Sequence, residues 1–111
     1  MPAYEIVLSP QALERIEEAW SHIARELGMS RSADDLLDEL EVKFSVLKDF
    51  PEAYPIDSRA SYLSGREIRH ATVRSFRLLY CVDRERLEVH ILSLRFGNEN
   101  PETLTPTDLQ S

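Results

Sequence analysis

Little in this chain is equipped to form a disulfide, cross a membrane or ligate a metal. It has one cysteine, Cys81. A lone cysteine cannot close an internal disulfide, which fits a reducing cytoplasm. No apolar run approaches the roughly 20 residues of a membrane-spanning helix, so no membrane partner is expected. The N-terminus lacks a basic segment followed by an apolar one, the pattern of a secretory signal, and Glu5 interrupts its first apolar run. The three histidines are scattered and Cys81 stands apart from them. The sequence therefore shows no metal-ligand cluster and implies no cofactor. No internal repeat is visible.

What remains is ordinary for one globular domain: 111 residues, 42% apolar and 30% charged, enough for a real but small core. The net charge of -7 argues at first against nucleic acid. Its distribution says more. Residues 1–58 hold 5 basic and 13 acidic residues, net -8, whereas residues 59–96 hold 8 basic and 4 acidic, net +4. Residues 97–111 have three acids and no base. All eight middle-segment cations are arginine, the side chain suited to bidentate contact with phosphate and carboxylate. Singly, each reads as a solvated surface charge. Together they point to a basic sheet surface on an acidic protein.

Residues 4–8, Tyr-Glu-Ile-Val-Leu, read as a strand with Tyr4, Ile6 and Leu8 on one face. Ser9 reads as an N-cap, with Pro10 in the first helical position, where its missing N–H costs nothing. Leu13, Ile16, Trp20, Ile23 and Leu27 then recur at helical spacing, with Ala12, Ala19 and Ala24 flanking, up to a stop at Gly28. A second helix is expected from Ser30 or Ser32, where Ser32 and Asp35 resemble a capping box. Its stripe is Ala33, Leu36, Leu37, Leu40, Phe44 and Leu47, and Pro51 closes it. The segment from Pro51 to Gly65 reads as a long loop. Arg66–Val73 reads as a strand, and Phe76–Val82 and Leu87–Leu94 as a hairpin around a four-residue turn.

Pairing Val82 with Leu87 puts Phe76, Leu78, Tyr80, Val89, Ile91 and Ser93 on one face. Arg77, Leu79, Cys81, Glu88, His90, Leu92 and Leu94 fall on the other, with His90 diagonal to Arg77. The parity of Ile68 and Thr72 sends His70 toward the core. His22 reads as a surface residue. The expected class is α+β, in the order β-α-α-β-β-β, with a helical hairpin on one face of a small antiparallel sheet. The other face is expected to display Arg69, Arg77, His90 and Arg95. The polar tail, 101–111, is expected to be poorly ordered alone.

Three stretches carry a family resemblance. They are Tyr4-Glu5-Ile6-Val7-Leu8-Ser9-Pro10-Gln11-Ala12, then Leu47-Lys48-Asp49-Phe50-Pro51-Glu52, and then the run from Ile68-Arg69-His70 through Phe76-Arg77-Leu78-Leu79-Tyr80-Cys81-Val82 to Ile91-Leu92-Ser93-Leu94-Arg95-Phe96-Gly97. In order and spacing they resemble the RelE/ParE superfamily of toxins from bacterial type II toxin–antitoxin modules. The likeness makes residues 1–100 one toxin domain. It implies a cytoplasmic growth-arrest or plasmid-stabilisation toxin, a cognate antitoxin, and a hetero-oligomer of the two.

In the ribosome-dependent nuclease branch, an arginine in the matching strand and a basic residue one strand earlier contribute to catalysis. Arg77 and Arg69 are the corresponding positions here. Cleavage would also need proton transfer, for which histidine is the suited side chain, and His90 shares the face of Arg77 in this register. After the last strand, however, Arg95-Phe96-Gly97-Asn98-Glu99-Asn100 holds neither the tyrosine nor the histidine of that branch. The Phe50-Pro51 ending and a cation at Arg95 look closer to the ParE branch, which inhibits DNA gyrase. The surface implied for target or antitoxin is Arg69, Arg74, Arg77, Arg95 and Phe96. Three readings follow: a gyrase-binding toxin, a ribosome-dependent mRNA endonuclease, and a non-toxic antitoxin-binding relic.

Overall fold

The structure, a computed structural model, describes residues 3–96. The C-terminal stretch 97–111, and with it the expectation of a poorly ordered tail, lies outside the described residues. The chain begins with β1 (Glu5–Leu8) and α1 (Pro10–Ser21), the latter continuing into a π-helical turn at His22–Glu26. It goes on through α2 (Ser30–Asp49), α3 (Ser58–Ser64), β2 (Arg69–Val73), β3 (Phe76–Asp83) and β4 (Glu88–Phe96). The α+β class and the order of strands and long helices are as expected. The four strands lie in the order β1-β4-β3-β2. β1 runs parallel to β4 and the other pairs are antiparallel, so the sheet is mixed, not purely antiparallel.

Ser9 starts α1 as its residue type and Pro10 demand. Its Oγ accepts from Ala12 N–H at 3.0 Å and donates to the Leu92 carbonyl at 3.1 Å, so one hydroxyl caps the helix and ties it to β4. The buried face of α1 is rotated from the expected stripe. Ala12 and Ala19 are buried, with Ile16 and Ile23 beside them, while Leu13 and Leu27 are exposed. Small residues win because they let the helix sit close to the sheet. α2 begins at Ser30, with Met29 in the cap position and no side-chain cap, so Ser32 forms no capping box. The helix ends at Asp49, one residue before the Phe50-Pro51 pair. Leu36, Leu40 and Leu47 join Ala71, Val73, Leu78, Tyr80, Val89 and Ile91 in the main core between helices and sheet.

The stretch 51–65 is not all loop. It contains α3, capped by the Asp57 side chain and closed by Gly65 at φ 73°, a left-handed stop that glycine adopts without strain. Ala60 packs with Ile68, Leu79, Cys81 and Leu92 in a second, smaller core. Leu79 and Cys81 alternate with Leu78 and Tyr80 along β3, so α3 covers the sheet face that the sequence left open. β2 is correspondingly shorter than expected. Arg66 to Ile68 lie outside it, where Ile68 exchanges hydrogen bonds with the Ser61 hydroxyl at 2.9 and 3.1 Å.

The hairpin register differs from the expected one by two residues. Val82 pairs with Val89 and Tyr80 with Ile91, the turn lying at 84–87. A shift of two preserves the faces, because side chains repeat every second residue. A bulge then intervenes at Leu79/Tyr80, and beyond it Leu79 pairs with Ser93 and Leu78 with Leu94. The extra residue reverses the alternation on β4. Leu94 joins the main core in place of Ser93.

Candidate functional site

At the end of the sheet where β3 begins and β4 finishes, Phe76 pairs with Phe96 and Arg77 with Arg95. The pairs point to opposite faces. On the helix side the two phenyl rings lie 4.7 Å apart, and the His22 ring meets Phe96 edge-on at 6.1 Å. The π-helical turn delivers His22 there. Arg15, Glu18 and Ala19 complete a small cleft with these rings and Leu94. Arg15 Nε also donates to the Leu94 carbonyl at 2.9 Å.

On the other side, two arginines directly opposite each other would repel. Asp57 stands beside Arg77, its Oδ2 lying 3.3 Å from Arg77 Nη1 and 3.1 Å from His70 Nδ1. Its Oδ1 accepts from Ala60 N–H at 2.9 Å, the cap of α3. Asp57 itself is almost fully buried, while Arg77 keeps 42% of its side chain exposed. Arg95 is buried. One acid therefore holds an imidazole and a guanidinium together at a partly open sheet surface. Sequence reasoning missed both Asp57 and His70. His70 pairs with Leu79 and so shares the face of Arg77, not the main core. The signal was present in Ala71 and Val73, whose small apolar side chains mark the true core face of β2.

The remaining expected residues do not gather here. Arg69 pairs with Tyr80, which puts it on the face opposite Arg77. There its Nη1 donates to the Tyr54 carbonyl at 2.7 Å, and its Nη2 lies 3.2 Å from Glu67 and 4.0 Å from Glu52. Arg74, at φ 55° in the β2–β3 turn, reaches back to α2, 3.5 Å from Asp35 and 3.3 Å from Glu39. His90 pairs with Cys81, not diagonally with Arg77. Cys81 lies four positions along β3 from Arg77, roughly 13 Å of strand. His90 Nε2 lies instead 3.1 Å from Glu88. Arg84, in the β3–β4 turn, pairs with Glu52. That contact raises the arginine's pKa and lowers the carboxyl's.

A further polar group lies in the β3–β4 hairpin, where the sequence showed only scattered residues. Donor atoms of Asp83, Glu88 and His90 all lie within 4.8 Å of one another. Among the described residues no helix is long and apolar enough to cross a membrane.

Comparison with known proteins adds the following. A family model described as the ParE toxin of type II toxin–antitoxin systems matches residues 6–101. Among solved structures, the chromosomal ParDE system of P. aeruginosa shares 16% identity at a TM-score of 0.64, covering 85% of this chain and 96% of that one. A mutant RelE toxin of E. coli in the free state shares 19% at 0.56, covering 86% and 85%. The archaeal RelE–RelB complex of Pyrococcus horikoshii shares 15% at 0.56, covering 88% and 99%. No curated protein sequence matches this chain.

Proposed function

The chain belongs to the ParE toxin family of type II toxin–antitoxin systems, and on that footing we propose that a cognate antitoxin holds it inactive and that the free toxin binds DNA gyrase and stops replication. The observation that supports binding over chemistry is the dispersal of the nuclease candidates. Arg69 and Arg77 occupy opposite faces and His90 sits far along the hairpin. Arg69, Arg74 and Arg77 each lie against carboxylates, which leaves them less able to stabilise a phosphate in a transition state. The target surface is the sheet face on which Arg77 is exposed, at the start of β3. The antitoxin lies across that surface as an extended or helical segment that folds on binding. The toxin domain spans residues 1–100.

A second reading has one specific observation in its favour. Asp57 brings His70 and Arg77 together, an imidazole suited to proton transfer and a guanidinium suited to phosphate charge. An mRNA endonuclease would need both.

Expression without antitoxin, with pulse labelling of DNA and protein synthesis, separates the readings. DNA synthesis is expected to fall first, and purified toxin to inhibit supercoiling by gyrase. Early loss of protein synthesis with cut messages would replace this reading with the nuclease one. Unimpaired growth at good soluble expression would reject toxicity and leave antitoxin binding alone.

A further inference from the structure

The turn between β3 and β4 builds a second polar centre, well away from Arg77. Asp83 ends β3 directly opposite Glu88, which begins β4. Two carboxylates so placed repel unless a cation joins them. His90, two residues beyond Glu88, shares its face, with Nε2 3.1 Å from Glu88 Oε1. One donor atom from each of Asp83, Glu88 and His90 lies within 4.8 Å of the others. Opposite His90 stands Cys81, a free cysteine that is nine-tenths buried. It lines the same cleft, of about 450 Å³, as Asp83 and His90. Cross-strand pairing thus arranges a nitrogen, two carboxylates and a sulfur as a two-by-two block on one face.

We propose that this block binds a divalent transition-metal ion, zinc by the character of its donors, through Asp83, Glu88 and His90 with the Cys81 sulfur behind them. Magnesium and calcium favour all-oxygen shells, whereas imidazole and thiolate favour zinc. Donors about 2.1 Å from a tetrahedral ion sit roughly 3.4 Å apart. The Glu88–His90 separation is already close to that, and side-chain rotation suffices to bring in the third donor. Asp83 is pre-positioned, because its Oδ1 accepts the amides of Glu85 and Arg86 at 3.1 and 3.0 Å, which leaves its second oxygen for the ion. The dication matches the charge of the two carboxylates. Arg66, Arg84 and Arg86 also line the cleft, and Arg84 is drawn toward Glu52 and Glu67. An ion here would pin both strand ends at a turn whose Leu87 holds a left-handed φ of 57°. The site goes beyond the toxin reading and stands independently of it.

Isothermal titration of the full chain with zinc chloride tests the proposal. One zinc per chain, with a raised melting temperature, is the expected result. His90→Gln and Glu88→Gln should each weaken binding at least tenfold while folding normally without zinc, and Cys81→Ser should weaken it less. His22→Gln, at the exposed His22–Glu26 pair, serves as the control and should leave binding unchanged. Absence of zinc uptake would overturn the proposal. So would binding retained in both the His90 and Glu88 variants, or binding lost in the His22 variant. An unchanged affinity in Cys81→Ser would remove the sulfur from the site.

Discussion

At Asp57 a single carboxylate meets the Ala60 amide, the His70 imidazole and the Arg77 guanidinium. Arg77 was legible from the sequence as a cation on a non-core face. The acid that holds it was not, because the contact joins residues twenty apart across a helix start. Tyr80 makes a different point at the same scale. The sequence placed it in the core, and it is fully buried there. Burial pushes its pKa up to about 12. A folded-state pKa above the unfolded value of about 10 means that the unfolded chain releases the proton first. The resulting stability is fully present below about pH 10 and is lost as pH rises toward 12. Chemical denaturation across that range, followed by circular dichroism, should show the decline. Tyr80→Phe should flatten it, and an equally steep decline in that variant would place the cause in another group.

Elements differ in how plainly the chain announces them. Ser9-Pro10 marks the start of α1 with both a cap and a fixed φ, and Phe50-Pro51 marks the end of α2. The short α3 was missed because a helix of two turns shows no periodic apolar stripe, and only Ala60 of it is buried. Its Asp57 cap and Gly65 stop were the available signal. The π-helical turn was equally hidden, since its bonding follows from the packing of His22 and its neighbours. Ser9 serves both α1 and β4 through one hydroxyl. Ser9→Ala is therefore expected to destabilise the fold by about 1–2 kcal/mol, as the loss of a cap does. Urea denaturation would measure it, and a change within error of zero would show that water replaces both bonds.

Across the whole molecule, the acidic first half and arginine-rich second half fold against each other. Much of the expected basic surface is thereby neutralised, since α2 acids meet Arg74 and Glu52 meets Arg84. What stays exposed includes the apolar Leu13, Val42, Phe50 and Tyr62. Mixing the toxin with the product of the adjacent small gene is expected to give one early-eluting complex on size exclusion. Two unshifted peaks would count against an antitoxin partner. Local patterns were enough for the α+β class and for the order of the long elements. Those properties depend on periodicity, caps and breakers within a few positions. The parallel docking of β1, the bulge that exchanges Ser93 for Leu94, the opposite faces of Arg69 and Arg77, and the gathering of Asp57 with His70 emerged only from the folded chain. Each turns on which strand lies beside which and in what register. That is settled by total burial and charge pairing over the whole domain, not by any one segment.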